Sequence, residues 1–395
     1  MYSERQGLKP RRKKLLKVEL NSVGACQLLA EIYDMSRRTW SKEEILEVYN
    51  RPLINLIYDA ATVHREHHNP DEVQVSTLLS IKTGGCPEDC GYCPQAARYH
   101  TEVENEELLS LSHVKAQALR AKSTGSSRLC LGAAWRNVKD DHEFDHVLEM
   151  VRTINEVGLE VCCTLGMVTQ RQAQRLADAG LYAYNHNLDS SEEFYKEIIS
   201  TRGYEDRLET IDNVRKAGVS VCSGGIIGMG ESDEDRCAML ATYAAMETPP
   251  ESIPVNALVP VEGTPLEDQK LVSTWEMVRM IATTRIVIPE SVVRLSAGRT
   301  QISEEGQALC FLVGAGSIFA GDKLLTTPNP DVNKDMEMFK VLGITPMKPY
   351  KKGEQPAVNE RYRLNDDPEK RIKWSRPGHK IERNEEKKEE GKVKS

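Results

Sequence analysis

Residues 76–100, STLLSIKTGGCPEDCGYCPQAARYH, place a short apolar run directly before a glycine-containing loop with three cysteines. The run has the length and residue types of a buried strand. Cys86, Cys90 and Cys93 follow it with the spacing C-x3-C-x2-C. Structural zinc takes four protein ligands, and so does an ordinary four-iron cubane. The loop therefore indicates a metal centre in which one position is left for an outside molecule.

Further along the chain, apolar strand candidates alternate with stretches that have apolar residues at helical spacing. The strand candidates are residues 76–83, 127–134, 159–166, 183–189, 219–227, 252–260, 292–298 and 317–321. The helical candidates between them include residues 112–122, 143–158, 170–180, 204–218 and 274–288. Several of these helices end in glycine, as helices commonly do. The alternation predicts a parallel sheet whose simplest closure is a (β/α)8 TIM-type barrel, with an open doubly wound sheet as the alternative.

Composition limits the classes of function. The chain has 395 residues, 52 of them basic and 60 acidic, for a net charge of -8. This balance gives no reason to expect a nucleic-acid groove. Ten cysteines in a long chain without a secretory signal favour a reducing compartment, so we expect the cytoplasm or, in a eukaryote, the mitochondrial matrix. No apolar run approaches the roughly 18 residues that a membrane span needs, so no membrane partner is expected.

The two ends differ in composition from the middle. We predict an N-terminal extension over residues 1–40, the barrel over residues 41–346 and a charged C-terminal tail over residues 347–395. The first segment carries KPRRKKLLK, which is interpreted as a solvated tail ahead of a later start at Met35, with a nucleic-acid patch or an organellar presequence as alternatives. Both extensions are expected to be disordered because they are rich in charge and poor in apolar residues.

Strand phase separates the residues that face the barrel lumen from those under the helices. Side chains alternate along a strand, and the more apolar face must pack under helices. The lumen-facing set predicted in this way is Arg128, Cys130, Gly132, Glu160, Cys162, Thr164, Asn185, Asn187, Asp189, Ser220, Cys222, Gly224, Asn256, Arg294 and Ser296. Three cysteines and one arginine from four strands are therefore expected to converge inside the barrel.

A lone buried cysteine is most often a small apolar residue. We keep that interpretation for Cys26, Cys163, Cys237 and Cys310.

The cysteine loop after a first strand resembles that of the radical S-adenosylmethionine enzymes. Residues 40–346 resemble the biotin synthase family in particular. The motifs that carry this resemblance are GGCPEDCGYCPQAARYH, LCLGAAWR, TLGM, YNHNLD, VCSGGIIGMGE, PVNALVPVEGTPL, VRLSAGR and KLLTTPNP. The chain departs from the family pattern at Gly316, where the family usually has asparagine.

The resemblance implies a 4Fe-4S cluster on Cys86, Cys90 and Cys93, with the open iron chelated by S-adenosylmethionine. It also implies contacts to that cofactor from Tyr92 against the adenine, from Asn187 and Asp189 at the ribose, and from Arg207 at the methionyl carboxylate. The segment GGIIGMGE resembles the family's segment near the adenine, which adds Gly224, Ile226 and Gly228 to the expected cofactor contacts.

A second cluster, 2Fe-2S, is implied in the lumen. The matching ligands are Cys130, Cys162, Cys222 and Arg294, and Arg128 would support the cluster from behind them. Cys163 lies next to Cys162, and strand phase selects Cys162. Asn187 and Asn256 are expected to contact the substrate, with Asn256 at its ureido ring.

The activity implied is insertion of sulfur between two saturated carbons of dethiobiotin to give biotin. Such C–H bonds are not acidic, so no side chain is expected to act as acid or base and the cofactors carry the chemistry. Implied partners are an electron donor of the flavodoxin or ferredoxin type, the iron–sulfur assembly machinery and a second copy in a homodimer. The alternatives are another radical enzyme on this barrel or an iron–sulfur sensor that turns over no substrate.

The motif VHREHHNP places His64, His67 and His68 at helical spacing. A zinc or di-iron helix would also need partner ligands on another helix, and none is apparent in the sequence. We interpret the segment as a surface or dimer-contact helix.

Overall fold

Eight strand positions close into a barrel, because the first strand pairs in parallel with both the second and the last. The computed structural model describes residues 40–321 and 323–349. The predictions for the N-terminal extension, Met35, Cys26 and most of the C-terminal tail lie outside the described residues. The prediction of a (β/α)8 barrel is confirmed, and the open doubly wound alternative is wrong, since closure pairs β1 with β9.

The strands of the barrel are short and follow the predicted segments closely. They are β1 Glu72–Lys82, β2 Arg128–Ala133, β3 Glu160–Thr164, β4 Ala183–Asn185, β5 Ser220–Cys222, β6 Gly225–Ile227, β7 Ser252–Ala257, β8 Val292–Leu295 and β9 Ala315–Ala320. β5 and β6 share one position, because both pair with β7. A hairpin follows the barrel, formed by β10 Lys323–Leu324 and β11 Thr327–Pro328, and β12 Thr345–Pro346 pairs with the start of β1.

Helices cover the outside of the barrel. They are α1 Lys42–Tyr49, α2 Leu53–His67, α3 Leu111–Ser123, α4 His142–Val157, α5 Gln170–Asp178, α6 Glu192–Ile198, α7 Tyr204–Lys216, α8 Asp233–Ala244, α9 Thr274–Val287, α10 Glu304–Leu312 and α11 Val332–Leu342. None of the helices in the described part of the chain combines the length and the apolar character that a membrane span requires.

Local sequence explains where these helices begin and end. Ser or Thr caps several first turns, and Ser232 and Ser273 form full capping boxes with Asp235 and Glu276. Gly158 ends α4 with φ 89°, and Gly180 and Gly218 also adopt positive φ just after helices. The glycine stops predicted from the sequence are confirmed because these positions use a conformation that costs other residues energy.

The α2 helix is not a simple surface helix. His64 is buried against α9, and its ring stacks on that of His68 at 5.5 Å between centroids. His68 Nε2 lies 2.6 Å from Nη1 of the buried Arg285. The interpretation of VHREHHNP as a surface or dimer-contact segment is therefore wrong for His64, since this end of the helix packs into the protein.

Candidate active site

The cysteine loop leaves β1 through two glycines in left-handed backbone conformation. Gly84 and Gly85 have φ of 71° and 70°, and a Cβ on Gly84 would lie 2.5 Å from Asn105 Oδ1. The loop then turns back on itself, because Cys86 N donates to Gln95 O at 2.9 Å and Cys93 N donates to Cys90 O at 2.9 Å. Glycine is required at the entry to this loop for both conformation and space.

The three loop thiols lie close enough to affect one another electrostatically. Burial raises the pKa of Cys93 to about 12, and the neighbouring Cys90 and Cys86 act in the same direction. Burial likewise raises the pKa of Cys90 to about 11. None of the three is in a disulfide. A cationic metal centre would supply the positive charge that three thiolates at this position need.

A carboxylate inside the loop fixes it to the segment before α7. Asp89 accepts hydrogen bonds from Ser200 N at 2.9 Å, Thr201 N at 3.1 Å and Arg98 Nη1 at 3.0 Å, and from the Ser200 hydroxyl. Burial alone would raise the pKa of Asp89, but the hydrogen bonds from Ser200 and Thr201 outweigh it and lower the pKa to about 2. Gly91 N also donates to Ile198 O at 2.9 Å. The position of the loop is thus set by residues more than a hundred positions away.

The strand register brings the predicted inner cysteines together. Cys130 pairs with Cys162 across β2 and β3, and Asn185 pairs with Cys222 across β4 and β5. All three cysteines are at most 2% exposed. Hydrogen bonding to the Cys162 thiol lowers the pKa of Cys130 below its ordinary value, and the charges of Arg294 and Arg128 act in the same direction against the effect of burial. Burial raises the pKa of Cys222. The charge of Arg294 lowers this pKa and the Cys130 thiol raises it, which indicates that both groups lie nearby.

The adjacent Cys163 is fully buried but does not line the cavity. It has the outward phase predicted for it, between the strand and the helices.

Arg294 is an almost fully buried cation in this part of the lumen. Its Nε donates to Ser317 Oγ at 2.9 Å, and Nη2 lies 3.2 Å from Gln74 Oε1 and 3.3 Å from Ser76 Oγ. The guanidinium also stacks over the Phe319 ring at 4.4 Å. Among the described residues no carboxylate pairs with it, so only neutral groups and the nearby thiols accompany its charge.

Arg128 lies behind the inner cysteines. It pairs with the buried Glu160, with 2.8 Å between Nη2 and Oε2, and stacks over Tyr182 at 4.6 Å. The pKa of Arg128 is raised: burial opposes this, but Glu160 and the thiols of Cys162 and Cys130 favour the charged form. Arg128 does not line the cavity, so it acts on the cysteines by charge from behind.

Asp189 is the centre of a polar group on the other side of the lumen. It has φ 67°, uncommon for a residue other than glycine, and accepts a 2.8 Å hydrogen bond from Tyr92 Oη. Arg207 pairs with the same carboxylate and donates to Asn187 O at 2.7 Å. Tyr92, Asn187 and Asp189 line the cavity, whereas Arg207 lies behind them and does not.

The glycine segment after β5 is explained largely by packing. A Cβ on Gly224 would lie 1.9 Å from Pro254 O, and one on Gly228, at φ 93°, would lie 2.4 Å from Val272 Cγ2. Ile226 lines the cavity, while the two glycines do not. The presence of glycine at positions 224 and 228 therefore has a structural cause that needs no bound ligand.

Asn256 lines the cavity with its side chain held at both ends. Nδ2 donates to Gly225 O at 3.0 Å, and Oδ1 accepts from Ala297 N at 3.3 Å. An amide side chain has two N–H groups and two lone pairs on its oxygen. Each end of Asn256 thus retains one hydrogen-bonding position for a ligand.

One cavity of about 270 Å³ joins these parts. Cys93 from the loop and Cys130, Cys162 and Arg294 from the barrel line the same space. Thr164 and Ser296, both predicted to face the lumen, also line the cavity, and so do several residues for which strand phase gave no prediction: Leu78, Phe319, Leu324, Leu325, Thr326 and Thr327. The motif KLLTTPNP was the only signal for the last four, which belong to the β10–β11 hairpin.

The donor set fits iron–sulfur clusters better than single ions. Throughout residues 40–321 and 323–349, no three His, Cys, Asp or Glu side chains are placed to hold one metal ion. In a cubane each cysteine binds a different iron, so the thiols need not converge on one point. Three free cysteines on a tight loop and three more near a buried arginine are consistent with two iron–sulfur clusters.

Comparison with known proteins agrees with this arrangement. The Radical SAM superfamily model matches residues 80–242, and the Biotin and Thiamin Synthesis associated domain matches residues 254–345. The chain is 68% identical to the biotin synthase of Christiangramia forsetii over 361 residues, which cover 91% of this chain and 99% of that protein. It is 55% identical to the mitochondrial biotin synthase of Arabidopsis thaliana, over 83% of this chain and 88% of that one.

Solved structures share the fold at low sequence identity. Methylornithine synthase superposes with a TM-score of 0.66 at 18% identity, covering 78% of this chain and 95% of that one. The FeFe-hydrogenase maturase HydG of Carboxydothermus hydrogenoformans gives 0.68 at 16% identity, covering 82% and 79%. These likenesses concern the barrel alone. The sequence relatives extend over nearly the whole chain, and on that ground the chain belongs to the biotin synthase family of radical S-adenosylmethionine enzymes.

Proposed function

We propose that this chain converts dethiobiotin to biotin by radical sulfur insertion, with S-adenosylmethionine, a 4Fe-4S cluster and a 2Fe-2S cluster as cofactors. Its family membership supports the activity. The observation that carries the assignment to this site is that Cys93 and the pair Cys130 and Cys162 line a single cavity. A site that brings a radical source and a sulfur source to one substrate needs both of them to face the same enclosed cavity.

In this proposal Cys86, Cys90 and Cys93 hold the four-iron cluster, and Cys130, Cys162, Cys222 and Arg294 hold the two-iron cluster. When bound, these groups and S-adenosylmethionine supply a radical that removes hydrogen from unactivated carbon and the sulfur that replaces it. The barrel residues keep these reactants apart from water, because the inner cysteines are almost completely buried.

The polar residues of the cavity orient the two small molecules. Asp189 and Asn187 are assigned to the ribose of S-adenosylmethionine, and Asp189 is held in place by Tyr92 and Arg207. The assignment of Arg207 to the methionyl carboxylate, and of Gly224, Ile226 and Gly228 to the adenine side, rests on family resemblance. Asn256 is assigned to the substrate's ureido ring, whose C=O and N–H groups match the two free positions of its amide.

Arg128 is assigned a supporting role. Its guanidinium lies behind the inner cysteines and favours their ionised form, as its effect on Cys130 indicates. No side chain is assigned as acid or base for the reaction.

The proposal includes protein partners. These are an electron donor of the flavodoxin or ferredoxin type, the iron–sulfur assembly machinery and a second copy of this chain in a homodimer. A cytoplasmic location, or the mitochondrial matrix in a eukaryote, is supported by the free state of the described cysteines and by the mitochondrial relative of Arabidopsis thaliana.

The test is anaerobic reconstitution with iron and sulfide, Mössbauer typing of the clusters and an assay of dethiobiotin with S-adenosylmethionine and a reductant. We expect both cluster types, with biotin and 5'-deoxyadenosine as products. A sensor or scaffold would form neither product. Formation of 5'-deoxyadenosine without biotin in the presence of both clusters would contradict the sulfur-insertion assignment.

A further inference from the structure

The hairpin that covers part of the cavity has an unfavourable residue at its turn. Leu324 pairs with Thr327, which leaves Leu325 and Thr326 as the turn. Leu325 has φ 48°, in the left-handed region that glycine or asparagine usually occupies. This conformation is unfavourable for a residue with a side chain, because the Cβ atom crowds the following carbonyl oxygen. A leucine at this position needs a compensating role for its side chain.

That side chain fits into the space left by a missing Cβ on β2. A Cβ placed on Gly132 would lie 2.7 Å from Leu325 Cδ2, much closer than van der Waals contact allows. Gly132 itself does not have positive φ, so its backbone conformation does not demand glycine. It follows Cys130 by two residues and has the same strand phase. Leu325 is therefore seated on the strand that carries one of the inner cysteines.

The cavity around Leu325 has an apolar part and a polar part. Leu78, Phe319 and Leu324 line it together with Leu325, whereas Asn256 and Ser296 contribute polar groups. Dethiobiotin has matching halves, since it carries a polar ureido ring and an alkyl chain that ends in a carboxylate. If the ring is held at Asn256, the methylenes of the chain meet the apolar wall.

We propose that Leu325, seated on Gly132, is a specificity-determining residue that limits the length of the alkyl chain accepted beside the ureido ring. The inference rests on the proposed function. The contact with Gly132 fixes how far the Leu325 side chain reaches into the cavity. A methyl group added at residue 132 pushes Leu325 inward, and truncation of Leu325 makes room for a longer chain.

The experiment measures binding to the anaerobically reconstituted holoenzyme in the presence of S-adenosylmethionine. Equilibrium dialysis gives the Kd of dethiobiotin and of two homologues whose acid chains are one methylene shorter and one longer. For Leu325→Ala we expect the ratio of affinities to shift roughly tenfold toward the longer homologue, as one methylene in an apolar pocket allows. For Gly132→Ala we expect dethiobiotin to bind roughly tenfold more weakly, with the shorter homologue less affected.

Gly316→Ala is the matched control. It makes the same chemical change on β9, where the added Cβ would meet only Val292 Cγ1 at 3.8 Å. Its affinity ratios should equal those of the wild type. Should Gly132→Ala fail to fold, Leu325→Ala decides alone.

Unchanged affinity ratios in Leu325→Ala would overturn the inference even though the wild type binds dethiobiotin. A wild-type holoenzyme that does not bind dethiobiotin would contradict the proposed function itself, and this inference with it.

Discussion

At the scale of single residues, Asp89 shows how a neighbour of a metal ligand can matter without binding metal. Its carboxylate accepts from two backbone N–H groups, two hydroxyls and Arg98. Asp89→Asn removes the charge and turns an N–H group toward these donors. Because hydrogen bonds to a charged group contribute about 1.5–3 kcal/mol each, we expect fewer four-iron clusters per chain after reconstitution and a lower free energy of unfolding of the apoprotein.

Iron content, Mössbauer spectra and urea unfolding measure these two effects. Asp140→Asn is the matched control, since Asp140 is 44% exposed and pairs with Arg175 at the surface. Surface pairs of this kind contribute little. Wild-type cluster content in Asp89→Asn would show that the loop is positioned by its backbone contacts alone.

Arg294 and Cys222 make a second pair of residues whose roles can be separated. A guanidinium has no free lone pair in its usual protonated state, and Arg294 is already held by Ser317, Gln74 and Ser76. We expect Arg294→Ala to keep a 2Fe-2S absorption spectrum and Cys222→Ala to lose it, because only the thiolate is irreplaceable as a ligand. Reconstitution of both variants side by side, with spectra recorded before turnover, makes the comparison.

The conservative variant Arg294→Lys controls for charge in the lumen. Equal loss of the spectrum in Arg294→Ala and Cys222→Ala would show that the arginine is indispensable to the two-iron site.

Residue-level prediction from the sequence succeeded where a repeating geometry applies. Alternation along the strands selected Cys130, Cys162, Cys222 and Arg294 for the lumen. Cys130, Cys162 and Arg294 line the cavity, whereas Cys222 is buried and does not line it. Alternation failed to find Asp89 or Leu325. The partners of Asp89 lie 111 and 112 positions away, and Leu325 is explained only by its contact with Gly132. Neither contact follows from the period of a strand or a helix.

At the scale of elements, the contact between α2 and α9 should make stability depend on pH. Burial, followed by the charge of Arg285, lowers the pKa of His64 and His68 well below the ordinary 6.5. The unfolded chain takes up these protons near pH 6.5 and the folded chain does not, so stability is present above that pH and is lost below it. Between about pH 7.5 and about pH 5.5 the two histidines should lower the free energy of unfolding by about 3 kcal/mol.

Urea unfolding of the reduced apoprotein at the two pH values tests this expectation. The double variant His64→Gln, His68→Gln should lose most of that difference, and His113→Gln, on the exposed side of α3, should retain it. An unchanged pH dependence in the double variant would mean that other groups, such as the buried His186, dominate the acid side.

Long elements were easier to predict than short ones. Helices such as α4 carry both a periodic apolar face and a glycine stop, so their existence and ends follow from local chemistry. The β10–β11 hairpin and β12 have only two residues per strand. Segments that short have no measurable period, and their pairing depends on the barrel that they cover.

At the scale of the whole molecule, the strand pattern indicated a barrel, but closure is a property of long-range pairing. The two matched family models divide the chain between residues 242 and 254, yet β1 pairs with β2, β9 and β12 at once. The first and last parts of the barrel therefore complete one sheet. The sequence left an open sheet as an alternative because alternation of strands and helices is the same in both folds.

A buried ion pair joins the segment after β8 to α11. Arg299 and Asp335 are each 1% exposed, and Arg299 donates to Asp335, to Gln307 Oε1 at 2.8 Å and to Phe319 O at 2.8 Å. Asp335→Ala leaves the guanidinium without its counter-charge, so we expect the free energy of unfolding to fall by about 3–5 kcal/mol. The helix that carries Asp335 follows the β10–β11 hairpin, so we also expect the hairpin to lose order in this variant. Faster amide hydrogen exchange over residues 323–328 would show that loss.

Glu337→Ala, at an exposed position of the same helix, is the control and should leave both measurements unchanged. A fall of less than 1 kcal/mol in Asp335→Ala, well under the range expected for a broken buried pair, would show that Gln307 and Phe319 O suffice to hold Arg299.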